Sequence, residues 1–187
     1  MCRVSNEIIR TRPPAGPDVT LNACGDVTHQ GVEASTAVTL CPGSNGDPAL
    51  LRLLTTFHYD DFRFDRDQDF GNSRLPAVPV FFLQAELLAR NPNGWFAGLG
   101  IETAPGGMYV DYANTVKTPG YTVCNVRAGR QVLTGLSFFV SLENLFDEQF
   151  VNSVSPQSGL NSSVDHHTAA VFSGQGRRWS IGMELTF

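Results

Sequence analysis

Lysine is almost missing from this 187-residue chain. Lys117 stands alone, and 13 Lys plus Arg face 18 Asp plus Glu for a formal net charge of −5. A nucleic-acid surface needs a basic patch, so that class of partner is excluded. Long apolar runs are missing too. A membrane-crossing helix needs about 18 uncharged apolar residues, and the longest stretch, 75–88, is broken by Pro76, Pro79, Gln84 and Glu86. The opening Met1-Cys2-Arg3-Val4-Ser5-Asn6-Glu7 has no apolar signal-peptide core. For a secreted or outer-membrane chain this implies that residue 1 is not the natural start. Cysteine is scarce, and the spacing of Cys2, Cys24, Cys41 and Cys124 matches no zinc pattern. Cys24 and Cys41 pair if neighbouring loops bring them together; otherwise all four are free thiols packed as small hydrophobes.

What the chain does have is period-two alternation. In the last eleven residues, Trp179, Ile181, Met183, Leu185 and Phe187 take one phase, and Ser180, Gly182, Glu184 and Thr186 take the other. That is a strand with one apolar and one polar face, ending on an aromatic residue. Outer-membrane barrels commonly close on such a strand. A composition that is 42% hydrophobic, with a mean hydropathy of −0.09, fits a soluble protein and a transmembrane barrel alike, because polar interior positions dilute the apolar exterior.

Eight strands are expected: Val4–Thr11, Thr28–Leu40, Leu50–Phe64, Val80–Arg90, a fifth from Trp95 that resumes at Met108–Asn114 after Pro105-Gly106-Gly107, Tyr121–Val132, Leu136–Val151 and the C-terminal strand. Glu33, Arg52, Asp60, Glu86, Arg90, Glu102, Glu143 and Glu184 keep to one phase of their strands, and the other phase is apolar or threonine. A soluble sandwich would alternate in the same way with its faces exchanged. Length and connections decide between them. The strands run to about ten residues, the span of a tilted transmembrane strand. Short turns at 42–47, 91–94 and 133–135 alternate with longer polar loops at 12–27, 65–79 and 152–176, while Val116–Gly120 is a brief exception. Short turns on one side and long loops on the other is the outer-membrane barrel layout. With Phe187 at the periplasmic end, every short turn falls on the periplasmic side. The fold class is therefore all-β, an antiparallel meander of about eight long transmembrane strands.

Several segments resemble the C-terminal barrel of TonB-dependent outer-membrane receptors of the siderophore-receptor type. They are Asn6-Glu7-Ile8-Ile9, Thr28-His29-Gln30-Gly31-Val32-Glu33-Ala34, Asp60-Asp61-Phe62-Arg63-Phe64, Leu75-Pro76-Ala77-Val78-Pro79 and Pro119-Gly120-Tyr121. The strongest is Leu142-Glu143-Asn144-Leu145-Phe146-Asp147 with Phe150, and the terminal Phe187 completes the set. The resemblance implies a barrel of about twenty-two strands with a plugged lumen. Residues 1–187 would supply only its C-terminal portion, with the plug domain, the TonB box, the signal peptide and the earlier strands lying outside, and Met1 internal to a longer gene. It implies uptake of a ferric siderophore or similar scarce nutrient. The partners would be the outer-membrane bilayer, the barrel-assembly machinery and, in the full-length parent, the ligand and TonB. No cofactor, catalytic residue or resident metal is implied. Gly182, Leu185 and Phe187 match the C-terminal signal read during assembly. A self-contained eight-stranded barrel, structural or adhesive, and a soluble barrel carrier are the alternatives.

Among candidate sites, Asp65-Arg66-Asp67-Gln68-Asp69 starts like a calcium loop but lacks the glycine and glutamate an EF-hand needs, with Phe70 and Pro76 in those places. Arg63, Arg66 and Arg74 are candidates to meet an anionic siderophore, with the nearby aspartates as structural counter-charges. Asp165-His166-His167 lies in the longest loop, where His166 and His167 are candidate ligand contacts. A hydrolase reading using Asp165 with Ser162 or Ser163 has no geometry behind it. Trp95, Tyr109, Tyr112, Tyr121 and Trp179 suit interfacial aromatic girdles.

Overall fold

A computed structural model describes residues 2–5, 7–11, 19–41, 51–156 and 170–186. They form β1 (Cys2–Ser5), β2 (Ile8–Thr11), β3 (Val19–Asn22), β4 (Asp26–Cys41), β5 (Leu51–Asp65), β6 (Phe81–Arg90), β7 (Trp95–Ala104), β8 (Tyr121–Leu133), β9 (Leu136–Glu143), β10 (Val151–Ser155), β11 (Ala170–Ser173) and β12 (Arg178–Leu185). Eight of these make one antiparallel sheet in the order β1-β4-β5-β6-β7-β8-β9-β12, and β2-β3 and β10-β11 are separate two-stranded pairs. β1 and β12 end the order and do not pair with each other, so the sheet is not closed. The count of eight therefore does not correspond to a sealed eight-stranded barrel.

The short connections follow turn chemistry. Asn91 Oδ1 accepts the Asn93 and Trp95 amides at 3.0 and 3.1 Å, and Gly94 takes φ +82°, which a side chain would resist. Gly135 does the same at φ +84° between β8 and β9.

Three expectations are corrected at the loop end, and the open question of the cysteines is answered. The first strand splits, because β2 leaves the sheet and pairs with β3 through Ile8↔Asn22 to Thr11↔Val19. β7 does not resume after Pro105-Gly106-Gly107. Gly107 turns at φ +59°, Thr118 N–H donates to Met108 O at 2.9 Å, and 108–114 becomes loop. β9 stops at Glu143, since Asn144 takes φ +52°, and Val151–Ser155 pairs with β11 instead. Cys24 and Cys41 cannot pair, because they flank opposite ends of the 16-residue β4, about 50 Å apart at 3.3 Å per residue; all four cysteines are free thiols.

The distribution of burial is inverted relative to a soluble domain. The buried apolar residues, among them Ile9, Val27, Phe64, Met108, Val110 and Tyr112, gather at the loop end. Along the sheet the large apolar side chains stay uncovered on one face: Val32, Val38, Leu99, Ile101, Val140, Trp179 and Met183, with Ile181 87% exposed. On β5 this face reads Leu51, Leu53, Thr55, Phe57 and Tyr59, then changes to Asp61, Arg63 and Asp65. At the turn end one cation shares it. Arg130, opposite Trp95, lies over that indole at 5.1 Å, a cation–π contact. The strand rows also climb. Trp179 stands in register with Leu142, Val126, Leu99, Leu87 and Leu53, whereas on β5 the aromatic end of the face is Tyr59, several residues higher. That stagger is the shear of a tilted barrel wall.

Candidate functional site

The opposite face of the sheet is polar and lines a trough of about 1010 Å³. Its centre is an ion pair between Arg127 Nη2 and Glu86 Oε1 at 2.8 Å. Gly98 makes room for it, since a Cβ there would press on both side chains. Beside it Gln84 Nε2 donates to Glu102 Oε2 at 2.9 Å, Tyr121 Oη donates to Glu102 Oε1 at 2.9 Å, and Ser141 and Ser180 hydroxyls share a bond of 2.8 Å. At the strand tops Arg178 Nη2 pairs with Glu143 Oε2 at 2.7 Å.

One register row crosses this face as Arg90, Phe96, Gly129, Phe139 and Gly182. The Arg90 guanidinium lies 5.9 Å over Phe96. The rings of Phe96 and Phe139 occupy the space a Cβ would need on Gly129 and Gly182. Aromatic side chains thus cover the glycines of the next strand, a device that pins strand register. Gly182 therefore has a packing role in its strand, and Leu185 pairs with Leu136 on the apolar face. Phe187 lies outside the described residues.

Three buried polar hubs hold the loop end. Asp67 accepts the Gly25 amide at 2.9 Å and those of Asp69 and Phe70 at 2.9 and 3.0 Å. Asp111 accepts the Thr115 amide, the Thr115 hydroxyl and the Val116 amide at 3.1, 2.8 and 2.9 Å. Asn144 donates Nδ2 to Glu148 O and Gln175 O at 2.9 and 3.0 Å, and its Oδ1 accepts the Glu148 amide at 2.8 Å. These bonds satisfy buried groups that would otherwise be costly. Asn114 joins two loops by accepting the Arg74 amide and donating to Arg74 O, at 2.7 and 2.8 Å. Phe64, Phe70 and Tyr112 pack around this joint with ring centroids 5.1–6.0 Å apart. Tyr121 and Phe150 stack at 4.4 Å.

The calcium-like segment is accounted for by these bonds, because Asp67 spends both carboxylate oxygens on backbone amides. No group of three or more metal-ligating side chains occurs among the described residues. The predicted arginines come together through aspartates. Asp61 Oδ1 receives Arg63 Nε at 2.6 Å and Arg74 Nη2 at 3.2 Å. Burial opposes ionisation of Asp61, but bonds from Arg63 and Gln30 and the charges of Arg63 and Arg74 outweigh it and hold the carboxyl below its usual range. Arg66 pairs through Nε with Asp65 at 3.3 Å and keeps its side chain 81% exposed. Asp61 is thus one of the aspartates expected as counter-charges, though nothing in the sequence beyond the Asp60-Asp61 doublet marks it as the one that holds both Arg63 and Arg74. Tyr112 and Tyr121, both expected at a girdle, are buried instead, Tyr112 in the loop core and Tyr121 on the polar face beside Glu102. His29 Nε2 stands 3.5 Å from Glu7 Oε2, too far for a strong bond. His166, His167, Asp165, Ser162 and Ser163 lie outside the described residues.

Among curated protein sequences none matches the chain. Solved structures do match, at identities that speak to fold alone. The ferric yersiniabactin uptake receptor FyuA from Yersinia pestis has a TM-score of 0.70 at 19% identity, over 90% of this chain and 25% of its own. The ferric-catecholate import receptor Fiu from K12 E. coli gives 0.66 at 18%, over 99% and 24%. The copper transporter OprC gives 0.68 at 14%, over 99% and 27%. This chain thus spans about a quarter of the length of the structures it resembles. The sequence profile described as "TonB dependent receptor-like, beta-barrel" matches residues 3–145. The chain belongs to the TonB-dependent receptor-like β-barrel family.

Proposed function

We propose that residues 1–187 form the C-terminal part of the barrel wall of an outer-membrane receptor, and that the full-length parent takes up a ferric siderophore or a similar scarce metal chelate under TonB. The observation that carries this reading is the inverted sheet: large apolar side chains uncovered on one face and paired charges on the other. Water would not tolerate so continuous an apolar surface, and a lipid-facing wall requires it. Two unpaired sheet edges support membership of a larger wall with further strands. The proteins named above are described as taking up ferric yersiniabactin, importing ferric catecholates and transporting copper, which supports a chelated metal as cargo. Arg66, His166 and His167 are retained as candidate ligand contacts, while Arg63 and Arg74 share the outward phase of β5. Gly182, Leu185 and Phe187 are assigned to recognition of the closing strand by the assembly machinery.

Two measurements test the reading. The coding sequence upstream should encode further strands and a plug; a signal peptide directly before this chain, with neither, would refute it. In cells, deletion of the parent gene should abolish TonB-dependent accumulation of labelled ferric siderophore, and unchanged accumulation across a panel of siderophores would remove the transport assignment.

A further inference from the structure

We propose that the β2–β3 hairpin is a pH-sensitive strap across the inward face of β4 and β5, fastened when His29 on β4 is protonated and pairs with Glu7. The inference needs only the fold and not the transport assignment above. The hairpin forms its own two-stranded sheet, separate from the wall that β1 and β4 join. One side of it lies on that wall. Ile9 is 4% exposed and packs with Ala23, Val27, Phe64 and Tyr112, whereas Ile8 on the alternate phase is 70% exposed. Glu7 shares the phase of Ile9, and its carbonyl accepts the Ala23 amide at 2.7 Å, which closes the base of the hairpin. The wall beneath it is the polar phase of the two strands. Its rows are Val27 with Phe64, His29 with Phe62, Gly31 with Asp60 and Glu33 with His58.

His29 is the chemical link between wall and hairpin. Its ring is held against Phe62, with centroids 4.6 Å apart. Nε2 stands 3.5 Å from Glu7 Oε2 and is buried without a hydrogen-bond partner among the described residues. A neutral imidazole at that distance gains little. A protonated one donates from both nitrogens and meets a carboxylate, with the two side chains only 28% and 27% exposed. Screening by salt is weaker for such a pair than for one in open solvent. The neighbouring titratable groups lie on several elements. Asp60 occupies the next row of the wall, its carboxylate beside Gly31, and Glu33 and His58 pair at 3.4 Å one row further. Cys2 on β1 stands opposite His29. In the loop between β5 and β6, Asp67 is committed to backbone amides, and Asp69 faces the Cys24 thiol at 4.0 Å. In the loop between β7 and β8, Asp111 is committed to Thr115 and Val116. Arg10 falls on the alternate phase of β2, with Ile8. Of the carboxylates, Glu7 is the one at the base of the hairpin. Gain of a proton by His29 therefore fastens the strap, and its loss as pH rises loosens it.

The test is hydrogen exchange of the full-length protein in detergent, corrected for the intrinsic pH dependence of amide exchange, with the amides of β7 as an internal reference. Between pH 8 and pH 5.5, the range in which an imidazole takes up its proton, amides at 8–11 and 19–22 should gain roughly twofold to fivefold in protection. Those of β7 should not change. His29→Gln and Glu7→Gln should each abolish the gain while the β7 reference stays as in the wild type. Glu7→Gln leaves the stack of His29 on Phe62 untouched, so it decides the matter even if His29→Gln loosens the wall. Equal protection of the hairpin at both pH values in the wild type, or a gain that persists in Glu7→Gln, would overturn the strap. A gain that persists in both of these variants and vanishes in His58→Gln would transfer the switch to the Glu33–His58 pair and also overturn it.

Discussion

At the scale of single residues, the chain's chemistry is spent on holding loops. Asn144 is the clearest case. It is 3% exposed, sits at φ +52°, and ends β9 by tying 148 and 175 to one amide group. Asn144→Ala removes three side-chain bonds and strands buried backbone groups, at a cost of roughly 2–4 kcal/mol. The expected result is a receptor with a lower unfolding midpoint and faster exchange of amides at 145–155 and 170–176, measured by hydrogen exchange in detergent; wild-type exchange there would refute the role. Asp61 supplies a second prediction. Its folded pKa is depressed, so its contribution is complete above the ordinary carboxylate value and is lost as pH falls through the folded value. Protection of amides at 61–75 should therefore decline as pH falls below about 4. In Asp61→Asn protection should be weaker at neutral pH and lack that decline. An Asp61→Asn variant with the same acid profile as wild type would show that another group is responsible.

At the scale of elements, the sheet was legible and its loop-end limits were not. Alternation is a local property, so Trp95 to Ile101 or Trp179 to Leu185 display it without help from other parts of the chain. The end of β9 depends on Asn144 reaching across to Gln175, and the end of β7 on Gly107 fitting under Thr118; neither contact has a periodic signature. β2 also has a plausible strand sequence, yet it pairs with β3 rather than continuing β1. The arginines were visible as charges beside a loop, but their outward direction came only from counting register past Tyr59. Val140 lies mid-strand on the apolar face of β9, and Ser137 lies on the polar face opposite Glu184. Val140→Lys should destabilise the folded barrel by about 2–4 kcal/mol if that face meets lipid. Ser137→Lys, with Glu184 beside it, should change stability by less than about 1 kcal/mol. Reversible unfolding in lipid vesicles measures both. Equal effects would mean that both faces see similar surroundings.

At the scale of the whole molecule, the same inversion leaves residues 1–187 poorly suited to stand alone. The covered apolar core is confined to the loop end, while the sheet leaves one apolar face uncovered and two edges open to any strand that can add to them. β12 presents its outer edge along Arg178–Leu185, and β4 continues below its short pairing with β1, which covers only Asp26–His29. Unpaired edges recruit strands from other chains. Inside a bilayer the alternative is a row of unsatisfied amides, costing several kcal/mol each. The isolated chain in detergent should therefore self-associate through β12 and β4, eluting as oligomers whose size rises with concentration. Within the full-length receptor the same edges should be paired, and the β12 amides protected from exchange. A closed eight-stranded barrel makes the opposite demand: a monomer in detergent, with slow exchange along both β1 and β12. Sizing the isolated chain across a concentration series therefore separates a segment of a wall from a complete small barrel. A monomer with protected edges would mean that β1 lengthens to meet β12, contrary to the order of strands in the sheet.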